Sequence, residues 1–221
     1  MEGQLLEIKD FFDNVAIEYD NNHMKDSSCY EEFYEKIAEP IKVTNRAIRI
    51  LDLGCGTGNE LENIFNKAEN ATITGVDLSQ KMLTQLRKKY KAYSNQIKLI
   101  NGSYESVRLS EKKFDYAVSV MSLHHFTYHR KRNIYEKILK SLKTNGIFIE
   151  GDYSVSNKKE KEGLIEYKGI LEKNNLEKKK DYHIDIPFAV KTEKKLMLAA
   201  GFRKVKIIFD KEKAAVLVAY K

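Results

Sequence analysis

The sequence predicts an α/β fold: a doubly wound, mostly parallel seven-stranded sheet that ends in an antiparallel hairpin. Three observations predict it. Short runs rich in β-branched residues alternate with helical stretches between residues 47 and 153, the pattern of a parallel sheet covered by helices. Two late strand-like runs are joined only by Lys211-Glu212-Lys213, short enough for a hairpin. The segments 1–45 and 154–190 break the alternation with helical periodicity, and read as a helical N-terminal cap and a helical insertion before the sixth strand.

The elements follow in order. Leu5, Leu6, Ile8, Phe11, Phe12, Val15 and Tyr19, then Phe33, Ile37 and Ile41, recur at helical spacing and contain no strand. Ala47–Leu53, Ala71–Asp77, Gln96–Asn101, Phe114–Val120 and Gly146–Gly151 read as buried strands, several ending in Gly, Asp or Asn. Helices are expected over Asn59–Ala68, over Ser79–Tyr90 with Ser79 as N-cap, and over Lys131–Leu142 before an Asn145-Gly146 turn. Most of 154–190 reads as helix closed by Pro187. Thr192–Ala200 is a short helix stopped by Gly201, and Lys204–Asp210 and Ala214–Tyr220 form the hairpin. No internal repeat or linker divides the chain, so 1–221 is expected to be one domain: cap 1–45, ligand-binding core 46–153, lid 154–190, and a C-terminal helix and hairpin 191–221.

Composition narrows the function. With 42% hydrophobic and 10% aromatic residues, wholesale disorder is excluded. No run approaches the ~18 apolar residues of a membrane span, and the N-terminus shows no basic then apolar signal pattern. Cys29 and Cys55 make neither a metal spacing nor a disulfide framework. The expectation is a soluble, cytoplasmic protein without a membrane partner. A net charge of +7 invites a nucleic-acid partner, yet only seven of 39 cations are arginine, the residue suited to bidentate phosphate contacts. Lys158–Lys180, with eight lysines and five glutamates, reads better as a solvated helix face than as a docking patch.

The chemistry centres on Leu51-Asp52-Leu53-Gly54-Cys55-Gly56-Thr57-Gly58, where the first strand hands over to the first sheet helix. Glycines at alternate positions let a ligand approach the backbone, and the helix start offers unpaired N–H groups. The spacing is not the dinucleotide G-x-G-x-x-G, and no Gly-Lys-Ser/Thr follows, so a P-loop is excluded and a dinucleotide oxidoreductase is disfavoured. Asp52 before the loop suits a cationic ammonium. Asp77, ending the second strand, can accept both hydroxyls of a ribose.

These residues resemble the class I S-adenosylmethionine-dependent methyltransferases. LDLGCGTG (51–58) resembles their glycine motif and GVDLS (75–79) their ribose loop. INGSYESV (100–107) resembles their adenine turn, FDYAVSVMSLHHF (114–126) their fourth motif, and LKTNGIFIEGDY (142–153) the entry to their fifth strand. FDNVAIEYDN (12–21) resembles the N-terminal cap of the ubiquinone/menaquinone-type and wobble-uridine-type branches, with Tyr19 as the residue that reaches the cofactor. The resemblance implies S-adenosyl-L-methionine as cofactor and S-adenosyl-L-homocysteine as product. It implies that Gly54 and Gly56, with Asp52, receive the methionine moiety, and that Asp77 holds the ribose. Leu78 would pack on the adenine, Ser103 and the Tyr104 amide would face its edge, and the Val120 carbonyl would lie near the sulfonium. Cys55, Asn59 and Met82 complete the implied set. Ser103 stands where the family often has an aspartate, which implies weaker adenine selection.

The acceptor side is less defined. Only Pro40 and Pro187 exist, so no Asn/Asp-Pro-Pro-aromatic motif follows the fourth strand and adenine amine methylation through it is excluded; neither cysteine sits where a pyrimidine C5 nucleophile must. Of the five histidines, His124, His125 and His129 cluster after the fourth strand and His183 closes the lid. His124 or His125 is the expected general base, titrating near pH 6–7, with Asp152, Tyr153 and His183 in the same crevice. His124, His125, His183 and Asp152 could converge on a metal, but no i,i+4 or CxxC spacing supports one, and none is assigned. The expected activity is methyl transfer to an O, N or S nucleophile of a small molecule. The alternatives are an RNA base or wobble-uridine methyltransferase, and a protein that binds S-adenosylmethionine without methyl transfer or converts the cofactor itself. Nothing in the sequence sets the oligomeric state.

Overall fold

The computed structural model describes residues 5–22, 29–174, 176 and 181–221. Seven strands, β1 (Arg49–Leu53), β2 (Thr72–Asp77), β3 (Ile97–Asn101), β4 (Phe114–Val120), β5 (Leu142–Tyr153), β6 (Lys204–Lys211) and β7 (Ala214–Tyr220), form one sheet in the order β3-β2-β1-β4-β5-β7-β6. β1 to β5 run parallel, and β7 lies antiparallel between β5 and β6. The winding reverses between β1 and β4, and a sheet of this type binds its ligand at the carboxyl ends of the strands flanking that point.

The eight helices are α1 (Ile8–Val15), α2 (Tyr19–Asn22), α3 (Tyr30–Ala38), α4 (Leu61–Lys67), α5 (Gln80–Lys89), α6 (Tyr128–Ser141), α7 (Asn157–Lys173) and α8 (Val190–Ala199) among the described residues. Two apolar layers cover the sheet. Phe33 and Ile37 of α3 join Ile64 of α4 and Leu83 of α5 on one face, while Ile134 and Tyr135 of α6 join Met197 of α8 on the other. The segment 1–45 therefore divides: α3 is a core helix packed on the sheet, and only α1 and α2 reach over the ligand end. Ser79 caps α5 as expected, its hydroxyl accepting from the Met82 amide 3.1 Å away.

Most boundaries fall within two residues of expectation, and three depart further. β5 starts at Leu142, so the Asn145-Gly146 turn is an irregularity inside the strand with Asn145 at φ 64°; strand pairing overrides local turn chemistry there. α6 begins at Tyr128, three residues early. α7 ends at Lys173, and Pro187 lies in an extended stretch after it rather than at a helix end. Part of the lysine-rich lid, Lys178–Lys180, and His23 lie outside the described residues.

One polar group is sunk in the core. Lys131 is fully buried, paired with Glu193 and 3.8 Å from Glu150, with the Tyr135 hydroxyl 2.6 Å from Glu193 and 2.7 Å from Glu150. The network ties α6, β5 and α8 together. Glu160 of α7 pins the lid by accepting from the Ala189 amide at 2.7 Å and bonding the Tyr128 hydroxyl. No helix among the described residues is long and apolar enough to cross a membrane.

Candidate active site

The glycine loop is shaped from below and above. Gly54 sits at φ 75°, and a Cβ there would lie 1.9 Å from Ser122 Oγ and 2.4 Å from the Tyr104 hydroxyl, two groups hydrogen-bonded to each other at 2.5 Å. Gly56 sits at φ 45°, and a Cβ there would meet nothing nearer than 4.0 Å because it would point into open space. That space is a cavity between the glycine loop and α1. Tyr19, Gly54, Gly56, Asp77, Leu78, Met82, Ser103, Tyr104 and Val120 line it, together with Ile8 and Phe12 of α1, Met121 and His125.

Asp77 is fixed before any ligand arrives. Its two oxygens accept from the amides of Gly56 at 2.9 Å and Ser79 at 2.8 Å, and each keeps a lone pair for a further donor. Burial raises its carboxyl to about 6, and the two amide hydrogen bonds hold it back from rising further. It is at once a turn-forming aspartate and a cavity-lining one.

Three residues implied by the resemblance stand behind the lining instead of in it. Cys55 is buried with its sulfur turned against Gly75 of β2. Asn59 is held by Lys89 at 2.6 Å, beside a latch in which Asp20 of α2 bonds the Thr57 hydroxyl. Asp52 is fully buried under the loop beside Glu60; no donor reaches either of its oxygens or Oε1 of Glu60. Burial, then the neighbouring Glu60 carboxyl, holds Asp52 well above the carboxylate range. A buried carboxyl pair without donors favours a cation above it, and S-adenosylmethionine brings two positive centres, an ammonium and a sulfonium. The residues present fit that cofactor.

Past β4 the chain turns sharply. Met121 is in the left-handed region (φ 46°), and its amide bonds to the Gly151 carbonyl at 2.8 Å. The turn Leu123–His125 follows, anchored by Asp152 Oδ2, which accepts from the Leu123 amide at 3.0 Å. Asp152 Oδ1 lies 2.6 Å from His124 Nδ1 and also accepts from the Tyr153 amide. Burial opposes ionisation of Asp152, but the His124 contact and the Lys131 charge hold its carboxyl below the ordinary value.

Asp185, from the extended stretch after the lid, completes the cluster. His125 Nδ1 is 3.2 Å from Asp185 Oδ1 and 3.4 Å from the Ile184 carbonyl. Both neighbours are acceptors, so Nδ1 carries the proton and Nε2 presents a lone pair. That Nε2 is buried without a partner. Burial, then the adjacent His124, pushes the His125 imidazole down to about 4, against the pull of Asp185. This corrects the expected titration near pH 6–7: burial in the turn, invisible in spacing, holds the ring neutral. His124 Nε2 lies 3.6 Å from the same Asp185 oxygen, so ligand atoms of His124, His125 and Asp185 fall within 4.8 Å of one another.

His183 and Tyr153 belong to a second, more open cavity, lined also by Phe11, Val15, His124 and Asp185. It shares Phe12, Tyr19 and Met121 with the first cavity, so the two spaces meet at the end of β4. His183 stacks on Phe11 with centroids 3.5 Å apart. His129 does not join the cluster; it is exposed on the first turn of α6. Asp185 escaped the sequence reading. Its signal was present: His183 and Asp185, two apart in an extended stretch, point to one side. Ile8 and Phe12 were read only as helix periodicity.

Comparison with known proteins agrees with this geometry. Residues 50–146 match the methyltransferase domain family. A carboxy-S-adenosyl-L-methionine synthase of Sulfurimonas denitrificans is 26% identical over 96% of this chain and 94% of its own. Among solved structures, a candidate O-methyltransferase of Nostoc punctiforme superposes with a TM-score of 0.73 at 17% identity, covering all of this chain, which spans 63% of that structure's length. Phosphoethanolamine N-methyltransferase 2 of Haemonchus contortus, solved with S-adenosyl-L-methionine, gives 0.69 at 14% identity over 98% of this chain and 60% of its own. A glycine loop over a buried carboxyl pair, an acid at the end of β2 and a 3-2-1-4-5-7-6 sheet agree with the match of residues 50–146 to the methyltransferase domain family, and with an S-adenosylmethionine-dependent enzyme of the methyltransferase fold.

Proposed function

We propose that the protein transfers a methyl group from S-adenosylmethionine to an O, N or S nucleophile of a small molecule held in the second cavity, with His125 accepting the nucleophile's proton. One observation carries this reading: His125 lines the cofactor cavity, and its Nε2 is buried with no partner while two acceptors set the tautomer at Nδ1. When bound, the cofactor supplies an electrophilic methyl group on sulfur. The chain supplies the rest. Asp77 and the glycine loop fix the nucleoside end. Met121, Phe12 and Tyr19 form the shared wall across which the acceptor meets the methyl group and from which they exclude water. Asp185 orients His125, and His125 Nε2 takes the proton as the nucleophile loses it.

A second reading comes from the relatives' name: conversion of the cofactor into its carboxylated form. That product carries an added carboxylate at the methyl carbon, and a cation should face it. Among the described residues, the one lysine or arginine lining either cavity is Lys9, which sits 3.0 Å from Asp13. Asp185 at the meeting point is itself an anion. The lining thus supports methyl transfer over carboxylation.

Incubation of the protein with methyl-labelled cofactor and a fractionated cell extract tests the reading. Label is expected in a low-molecular-weight fraction. Label confined to RNA would replace the small acceptor with a nucleic acid, and a carboxylated cofactor detected by mass spectrometry with no label transfer would establish the second reading.

A further inference from the structure

The His124–His125–Asp185 cluster holds more acceptors than one proton can serve. Asp152 fixes a proton on His124 Nδ1, 2.6 Å away, which turns the Nε2 lone pair outward. That lone pair faces Asp185 Oδ1 at 3.6 Å, an oxygen that His125 Nδ1 also faces at 3.2 Å. The Ile184 carbonyl adds another acceptor on the same side. Lys131 of α6, whose charge reaches Asp152, is turned into its own pair with Glu193 and Glu150. A single proton on His125 Nδ1 serves Asp185 but leaves the His124 lone pair against the same carboxylate.

We propose that His124 Nε2, His125 Nδ1 and Asp185 Oδ1 form a binding site for a divalent transition-metal ion of the zinc type. Donors about 2.1 Å from a tetrahedral ion stand ~3.4 Å apart; the two edges to Asp185, 3.2 and 3.6 Å, bracket that value, and all three donors lie within 4.8 Å of one another. The ligand set, two imidazoles and one carboxylate, suits zinc, manganese, iron or cobalt rather than calcium or magnesium. The surroundings fit as well. Asp152 behind His124 is the carboxylate that orients a metal-bound imidazole, and it is itself pinned by the amides of Leu123 and Tyr153. The cluster opens into the second cavity, so a fourth position is left for water or another ligand.

The site is regulatory, and this consequence rests on the methyl-transfer reading. A metal on His125 Nδ1 displaces the proton to Nε2. The ring then presents a donor to the cofactor cavity and cannot accept a proton. No bond other than the metal–ligand bonds forms, and the displaced proton stays on the ring. Filling the site switches the base off.

Calorimetric titration of zinc chloride into the full chain tests the site directly. One ion per chain is expected, with affinity reduced at least tenfold in Asp185→Asn and in His124→Gln. Asp152→Asn, which touches no ion, is expected to weaken binding roughly 10- to 100-fold, while His129→Gln and Cys29→Ser bind as the unaltered protein does. Circular dichroism establishes that each variant is folded. Absence of saturable binding, or binding unchanged in folded Asp185→Asn, overturns the site. Label transfer to the extract fraction is expected to fall as the site fills and to return on addition of EDTA. A rate unchanged at full zinc occupancy overturns the regulatory role. Zinc binding of the stated pattern with no label transfer under any condition leaves the site standing and removes the methyl-transfer reading instead.

Discussion

Replacing Asp77 by Asn changes one atom, and the structure gives the size of the effect. The carboxylate accepts from Gly56 at 2.9 Å and from Ser79 at 2.8 Å, one amide per oxygen. An asparagine has one oxygen, so its NH₂ group must face one of these two N–H donors. That donor-against-donor contact costs about 1–3 kcal/mol of stability, which for a chain of this size is roughly 2–12 °C in Tm. The effect on the cofactor is larger. Each hydrogen bond to a charged acceptor contributes about 1.5–3 kcal/mol, so losing one and weakening the other removes about 2–4 kcal/mol, or roughly 30- to 700-fold in affinity. A pH signature separates this from general damage. Burial raises the Asp77 carboxyl to about 6 in the free protein. Ribose hydroxyls favour its ionised form, so binding pulls the titration down, and wild-type affinity should decline as pH drops below about 6, by up to tenfold per unit. The asparagine variant has no such limb. Calorimetry with S-adenosylhomocysteine at pH 7.5 and 5.5, with circular dichroism as the control for folding, reads both effects. A folded Asn variant with wild-type affinity at both pH values would refute the ribose assignment.

Other expectations follow from the same site and core. His125→Asn should lower methyl transfer roughly 10²–10⁴-fold while S-adenosylhomocysteine affinity stays within about threefold. Because burial holds His125 down to about 4, the wild-type rate at saturating S-adenosylmethionine should be level through neutral pH and fall only as pH nears 4, where the ring takes a proton; a limb at pH 6–7 under saturation would assign the base elsewhere. Gly56→Val should keep the fold apart from about 1–2 kcal/mol of left-handed strain yet abolish cofactor binding, since its side chain would project into the cavity; retained affinity in calorimetry would show the cradle is misplaced. Lys131→Met strands Glu150 and Glu193 without their cation and should cost about 3–5 kcal/mol, seen as a calorimetric Tm loss, whereas removing both glutamates as well should recover much of it.

The sheet was legible because each strand carries its own signal. β4 and β7 fall on the predicted residues, as β-branched runs bounded by turn residues leave little freedom. The cofactor wall was legible for a related reason: a glycine loop and a strand-ending acid are local in sequence, and the topology brings them together. What spacing cannot show is which way a side chain turns. Asn59 and Cys55 lie one step from the cradle, but Lys89 draws the first away and the packing of β2 takes the second. The base was narrowed to His124 and His125 by position, and only the tertiary partners separate them: Asp152 takes His124, while Asp185, some sixty residues further along, takes His125. Titration depends on that burial, so the pH expectation was the part of the site most exposed to error.

The roof over the two cavities is a seam between distant parts of the chain. Glu7 bridges Tyr182, the Ile8 amide bonds the Asp181 carbonyl at 2.7 Å, and the His183 amide bonds the Leu6 carbonyl at 3.0 Å. Leu6 to Ile8 are synthesised well before residues 181–183 and must wait for them before their partners exist. Strands β1 to β5 are all synthesised in that interval. The two cavities can therefore be roofed only after that interval has been made, so their closure depends on a contact between widely separated segments that flank those strands.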